Sequence, residues 1–204
     1  GLANDPSTTF GDYAKDKISA AQKISLARVN IVFDNYFNER SLYDSGKVWE
    51  ALEIMDKNGY VYEQDGAKWF KTTEFGDDKD RVLVKSTGEP SYRMPDIAYH
   101  WDKAERGFDV VVDLFGPDHH ATAPQVLMGV QALGYDSSFV HTVLHQIVSL
   151  IRDGEQVKMS TRRGTYVTLD ELVDEVGADP IRYFMISRSG NSPVDFNLDL
   201  AVEK

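Results

Sequence analysis

The feature that most constrains this chain is a change in its hydrophobic pattern near residue 94, after which predicted helices and strands alternate. Helical periodicity over 95–106 and 124–133 brackets an apolar run at 110–115, and a second apolar stretch follows over 140–151. Parallel strands need a crossover connection, which is usually a helix, so this order is typical of a parallel α/β sheet. The sequence therefore predicts an α/β fold whose sheet lies in the second half of the chain.

The first ninety residues are expected to form an α+β insertion outside this sheet. Amphipathic helical spacing gives way there to short β-rich runs, and Asp65-Gly66 between two of these runs predicts a hairpin turn. The acidic run 77–80 is interpreted as a solvated turn. The predicted elements are helices at 13–38 and 48–58 and strands at 60–63, 68–71, 82–84 and 91–93.

Composition excludes several classes of protein. The 204 residues include no cysteine, which rules out disulfides, thiolate zinc sites and catalytic thiols and suits a reducing cytoplasm. No run approaches the roughly 20 apolar residues that a membrane-spanning helix needs, so no membrane partner is expected. The net charge of -11 argues against a general nucleic-acid-coating protein, because contacts along the phosphates need clustered Lys and Arg.

Residues 158–164, Lys-Met-Ser-Thr-Arg-Arg-Gly, form the first candidate site. Such a loop suits a triphosphate, because cationic side chains offset charge that develops on a pyrophosphate leaving group while hydroxyls donate hydrogen bonds. That displacement needs no protein nucleophile. On spacing alone, a basic surface turn remains an alternative interpretation.

The second candidate site follows the apolar run that ends at Phe115. Open α/β sheets bind ligands outside the carboxyl ends of their strands, where Gly116 permits a close backbone approach and Asp118 can hold ribose hydroxyls. A nucleotide is the expected occupant. The alternative is an ordinary strand-to-helix turn capped by Thr122.

Metal-dependent phosphoester chemistry is a rival interpretation, because Asp118-His119-His120 is followed by His141 and His145. The additional aspartates and the glycine-rich histidine motif of such enzymes do not occur in the sequence. His141 and His145 fall in an apolar stretch that is interpreted as sheet core. No protein-bound metal is therefore expected.

The third candidate site lies around Pro95. Proline favours helix initiation, which places Asp96 in the first turn of a helix and Tyr92 just before it, facing the same cleft. A planar guanidinium calls for a carboxylate that accepts two parallel hydrogen bonds, and a tyrosine adds a ring face or a hydroxyl. Asp96 is the candidate, and an aspartate that only complements the helix dipole is the alternative.

Together these stretches resemble the arginyl-tRNA synthetases, a class I family. Residues 158–162 are similar to the class signature Lys-Met-Ser-Lys-Ser, with departures at Thr161 and Arg162, and 116–120 resemble the family segment Gly-x-Asp-His-His. Residues 92–98 are similar to the family pattern Tyr-x-x-x-Asp-Ile-Ala. Further similar stretches lie at 36–43, 65–73, 151–160, 168–172 and 192–199.

The resemblance implies a role for each matching residue. Which of Arg162 and Arg163 would reach the phosphates stays open. The implied arginine-binding residues are Tyr92 and Asp96, the implied ATP-binding residues are Gly116, Asp118, His119, His120 and Met159, and the residues implied to act on the leaving pyrophosphate are Lys158, Ser160 and Arg162.

The resemblance also implies the reaction and the domains. Arginine would be activated with Mg²⁺-bound ATP to arginyl-adenylate and transferred to tRNA(Arg). Residues 1–90 would form a connective insertion, 91–167 the second half of a Rossmann-like catalytic fold, and 168–204 the start of a helical stem. None of the five histidines has the class spacing His-x-Gly-His, so an internal piece that is inactive alone is expected. A stand-alone regulator that binds arginine or nucleotide is the alternative.

Overall fold

A computed structural model describes residues 9–119, 122–157 and 166–202. Within these ranges, no helix is both long and apolar enough to cross a membrane. Short 3-10 turns lie at Thr72–Phe75, Pro117–His119 and Ser137–Phe139. In chain order, the elements are α1 (Phe10–Arg28), α2 (Arg40–Asp44), α3 (Lys47–Lys57), β1 (Val61–Gln64), β2 (Ala67–Phe70), β3 (Arg81–Val84), α4 (Arg93–Glu105), β4 (Val111–Phe115), α5 (Ala123–Ala132), β5 (Val140–Leu144), β6 (Val148–Arg152), β7 (Glu155–Gln156), α6 (Leu169–Val176), α7 (Ala178–Ile186), β8 (Val194–Asn197) and α8 (Leu198–Val202).

The chain groups into two compact units, one formed by residues 37–145 and the other by the chain on either side of them. Each unit has its own apolar core, as close packing around a buried face requires. The first core includes Val48, Met55, Phe70, Leu83, Met94 and Ile97, and the second includes Leu150, Leu172, Ile181, Phe196 and Leu198.

The 37–145 unit contains an antiparallel sheet in the order β1-β2-β3, which follows α2 and α3 in the chain. The predicted hairpin turn is confirmed: Asp65 and Gly66 have φ values of +53° and +72°, the left-handed pair that a two-residue turn requires. The strand predicted at 91–93 is wrong. The Ser91 hydroxyl donates to the Val82 carbonyl at 2.7 Å, and the chain then enters α4 at Arg93.

Strands β4 and β5 pair in parallel, with α5 between them in the chain, which confirms the predicted alternation. The apolar stretch predicted over 140–151 is divided. Strand β5 ends at Leu144, where the His145 amide still donates to the Phe115 carbonyl at 2.7 Å, and β6 begins at Val148 in a different sheet. Hydrophobicity is similar on both sides of the break, so the sequence pattern did not reveal it.

Helices α4 and α5 pack closely at Gly129. A Cβ atom built on Gly129 would lie 2.4 Å from Cγ1 of Ile97, which no core tolerates without movement. Glycine thus allows the two helices to approach each other closely.

The second unit contains a sheet in the order β7-β6-β8, in which β6 and β8 are parallel. The helix predicted over 13–38 is shorter, because Asn30 adopts a φ of +57° just after α1 ends at Arg28. Arg28 binds Asp170 at 2.7 Å, which links α1 to α6. Helix α6 begins with a capping box, in which Thr168 and Glu171 satisfy each other's backbone amides.

Candidate functional site

The start of α4 carries the residues predicted to read arginine. The helical period places Met94, Ile97 and Trp101 on one face of α4, and this face packs in the core of the 37–145 unit. Asp96, in the first turn, is left on the exposed side of the helix. Tyr92 occupies the N-cap position, and its side chain is also exposed. The sequence-based placement of both residues relative to the helix is confirmed.

The Asp96 carboxylate lies among charges of both signs. Partial loss of hydration raises its pKa, and the negative charge of Glu39 raises it further. His100, His119 and Lys103 act in the opposite direction without reversing the shift. His119 belongs to the predicted nucleotide turn, so the structure brings a residue of that turn within electrostatic range of Asp96.

Glu39 and Tyr43 are functional candidates that the sequence analysis did not single out. Desolvation raises the pKa of the Tyr43 phenol, and the charges of Glu39 and Asp96 raise it further, which places all three groups in one neighbourhood. Both residues fall in the stretch 36–43 that resembles the family. That resemblance was the available signal, but spacing alone did not connect a segment fifty residues upstream with Asp96.

The Tyr92 ring is held in position through Arg93. The Arg93 guanidinium lies over that ring, 4.5 Å from its centroid, in the geometry of a cation–π contact. Nε of Arg93 donates to Oε1 of Gln125 at 2.7 Å. Gln125 is a buried residue of α5, so the chain of contacts anchors an exposed tyrosine to the core.

The predicted nucleotide turn directly follows β4. Pro117–His119 form a 3-10 turn, the His119 amide donates to the Gly116 carbonyl at 3.1 Å, and the His119 ring stacks on Phe115 with centroids 5.0 Å apart. A Cβ atom on Gly116 would lie 2.8 Å from Oδ1 of Asp118, so glycine makes room for that carboxylate. The Asp118 side chain is open to solvent and therefore accessible to a ligand.

Thr122 does not cap α5 through its side chain, which disagrees with the plain-turn alternative. Its hydroxyl instead donates to the His119 carbonyl at 3.3 Å, within the turn itself. Thr122 therefore links the turn to the start of α5, and its side chain accepts no hydrogen bond from the α5 amides.

Five predicted site residues lie outside the described residues, and their predicted roles stay predictions. They are His120, Lys158, Met159, Ser160 and Arg162.

No group of three or more metal-ligating side chains comes together in the part of the chain that the structure describes. His141 and His145 are exposed, so their predicted place in a sheet core is wrong. His141 lies on β5, whose partner β4 is its only neighbour among the described strands, and the face that carries His141 is open.

Comparison with known proteins gives one family and many relatives. Residues 6–185 match the family described as tRNA synthetases class I (R), catalytic domain. An arginine–tRNA ligase of Desulfotalea psychrophila is 53% identical over 195 residues, which cover 96% of this chain and 35% of the relative. One of Salinibacter ruber is 51% identical over 202 residues, covering 99% and 36%. The chain spans about a third of the length of these relatives.

Solved structures show the same architecture. A crystal structure described as an arginyl-tRNA synthetase from Campylobacter jejuni is 36% identical with a TM-score of 0.85, covering 92% of this chain and 41% of that one. The Thermus thermophilus arginyl-tRNA synthetase has a TM-score of 0.79 at 18% identity, a likeness of fold, over 95% of this chain and 43% of that one. These likenesses confirm the α/β fold expected from the sequence.

Proposed function

Because the chain belongs to the class I arginyl-tRNA synthetase family, whose catalytic domain it matches, we propose that the protein containing it is an arginine–tRNA ligase. The observation that carries the proposal is the position of Asp96, an accessible carboxylate with Glu39, Tyr43 and the nucleotide-turn residue His119 in its surroundings. The names of the relatives support a ligase over a stand-alone regulator.

The proposed reaction has two steps. A carboxylate oxygen of arginine attacks the α-phosphorus of Mg²⁺-bound ATP, the bond from that phosphorus to the bridging oxygen breaks, and pyrophosphate leaves. A hydroxyl of the terminal tRNA ribose then attacks the carbonyl carbon of arginyl-adenylate, loses its proton and releases AMP. No covalent bond to the protein is needed, so positioning and charge stabilisation supply the catalysis.

We place the arginine side chain at the start of α4. A guanidinium presents parallel N–H donors that two carboxylate oxygens accept together, a fit that a lysine ammonium does not reproduce. Asp96 is the proposed bidentate partner, Glu39 adds a second negative charge, and Tyr92 offers a ring already fixed by Arg93. Citrulline has the shape of arginine without its charge, so it tests the electrostatic part of this proposal.

We place ATP at the turn after β4. The open Asp118 carboxylate is the proposed acceptor for ribose hydroxyls, Gly116 allows the close approach, and His119 lies beside the nucleotide with its ring fixed by Phe115. The roles of His120, Met159, Lys158, Ser160 and Arg162 toward ATP and pyrophosphate rest on the family resemblance alone. Arginine, ATP and tRNA(Arg) are the proposed partners, and the cytoplasm the proposed location.

The proposal is tested by ATP–pyrophosphate exchange in the full-length protein, with and without tRNA(Arg). We expect exchange that depends on arginine and is supported by neither lysine nor citrulline. Charging of tRNA with lysine but not arginine would overturn the assignment of the amino acid. Absence of both exchange and charging would overturn the proposed ligase activity.

A further inference from the structure

A buried ionic cluster joins α4 to β4 directly behind Asp96. Nε2 of His100 lies 2.6 Å from Oδ2 of Asp113, and Nζ of Lys103 lies 2.7 Å from Oδ1 of the same carboxylate. His100 is 4% exposed and Asp113 is 8% exposed, so solvent does not serve as a partner for these groups. Removal of one member of such a cluster strongly destabilises the fold, because it leaves a buried charge without a partner.

The two ring nitrogens of His100 contact different elements. Nδ1 lies 2.8 Å from the backbone carbonyl of Asp96, in the first turn of α4. Nε2 faces the Asp113 carboxylate of β4, and that carboxylate accepts the Lys103 ammonium on its other oxygen. Nζ of Lys103 also lies 3.5 Å from Nε2. The ring therefore bridges the turn that carries Asp96 and strand β4.

The partners of Asp113 favour its ionised form. Burial raises the pKa of this carboxyl, but the hydrogen bonds from His100 and Lys103 lower the pKa by more, which leaves it below its usual range. Glu39, His119 and Tyr43 are the other titratable groups around Asp96.

We propose that His100 is a positioning residue for arginine: its ring fixes the first turn of α4, which carries Asp96, to strand β4. The clamp holds the Asp96 backbone through Nδ1 and the strand that leads to Gly116 and Asp118 through Nε2. His100 therefore also fixes the spacing between the arginine-reading turn and the nucleotide turn. This inference rests on the proposed ligase function.

Loss of the bridge has a defined consequence for binding. His100→Ala removes both contacts of the ring, so the turn that carries Asp96 is no longer tied to β4, whereas the amide of His100→Gln can still reach Asp113. Because Asp96 is the proposed partner of the substrate guanidinium, KM for arginine should increase about tenfold in His100→Ala and less in His100→Gln, while KM for ATP changes little.

The experiment measures kcat and KM for arginine and for ATP in the full-length enzyme, comparing wild type, His100→Ala, His100→Gln and the control His141→Ala at an exposed site on β5. We expect an increased KM for arginine in His100→Ala, partial rescue in His100→Gln and wild-type constants in His141→Ala. An unchanged KM for arginine in His100→Ala, or a loss of kcat with both KM values unchanged, would overturn the positioning role.

Circular dichroism of each variant separates positioning from folding. If His100→Ala is unfolded, the decision rests on His100→Gln and His100→Asn, whose amides can each replace one ring contact. A KM for arginine equal to that of wild type in both of these folded variants would overturn the proposal. Wild-type enzyme without arginine-dependent exchange would instead overturn the ligase function on which the inference rests, so the two failures are distinguishable.

Discussion

The Nε2 atom of His100 lies 2.6 Å from Oδ2 of Asp113, so the helix that carries Asp96 is fixed to the strand that leads into the nucleotide turn. Lys103 adds a second link to the same carboxylate. Two substrates that react with each other must be held in a defined relative position, because misplacement by about 1 Å costs up to a hundredfold in rate. The ionic cluster is a rigid connection between the residues proposed to bind arginine and those proposed to bind ATP.

The nucleotide turn is tested by Gly116→Ala. The added methyl group would lie 2.8 Å from Oδ1 of Asp118, so this exposed carboxylate would have to turn away from its position. We expect KM for ATP to rise about threefold to tenfold, the net value of one hydrogen bond to the ribose, with KM for arginine much less affected. Steady-state exchange kinetics measure both constants, and Gly11→Ala, whose new Cβ meets its nearest atom at 3.7 Å, is the matched control. An unchanged KM for ATP would contradict the assigned role.

The anchored tyrosine is tested by Gln125→Leu. Leucine removes the acceptor that holds Nε of Arg93, so the guanidinium and the Tyr92 ring beneath it lose their fixed position. We expect KM for arginine to rise about fivefold to tenfold, the net value of one ordinary hydrogen bond, because the lost contact orders Tyr92 and does not touch arginine itself. Gln125→Glu keeps an acceptor and should retain most of the affinity. If the glutamate and leucine variants behave alike, the Arg93 contact is not what orders Tyr92.

The acidic run 77–80 contributes stability that depends on pH. Asp78 and Lys79 are exposed in a bend, as interpreted from the sequence, but the Asp77 side chain is mostly buried against Arg81. Arg81 donates to both oxygens of Asp77 at 2.8 Å, and these bonds hold the pKa of Asp77 well below its usual range. Because the folded-state pKa is lowered, the contribution is complete above the ordinary carboxyl pKa of about 4 and is lost as pH falls through the lower folded value.

Asp77→Asn should therefore lower the free energy of unfolding by about 1–3 kcal/mol at pH 7. The difference from wild type should shrink as the pH is lowered below about 4. Urea unfolding followed by circular dichroism at several pH values measures it, with Asp56→Asn as an exposed control of the same charge. A difference that does not change with pH would show that Asp77 acts by packing alone.

The sequence was sufficient for the features that depend on neighbouring residues. Periodicity predicted the parallel pairing of β4 with β5, and Asp65-Gly66 predicted its hairpin because both residues tolerate positive φ. It was insufficient where residues far apart in the chain meet. Ser91 was expected to continue a strand, but its hydroxyl bonds back to Val82 and the chain turns into α4 instead.

Some residues of the candidate site could likewise be predicted from the sequence, and others could not. Asp96 and Tyr92 could be found from a short motif, because the helix start places both of them. Glu39 could not be found from spacing, because its link to Asp96 is made by the packing of separate helices. The single local signal for His100 was its position four residues after Asp96, where its ring reaches the backbone carbonyl one helical turn earlier.

The central claim, that Asp96 reads the guanidinium of arginine, is tested most directly by arginine-dependent ATP–pyrophosphate exchange in full-length Asp96→Asn. The control is Asp102→Asn, which removes the same charge from the same helix at a residue paired with Lys47. We predict that Asp96→Asn lowers kcat/KM for arginine about a hundredfold while KM for ATP changes little, and that Asp102→Asn leaves both near wild type. An unchanged kcat/KM for arginine in Asp96→Asn would contradict the claim.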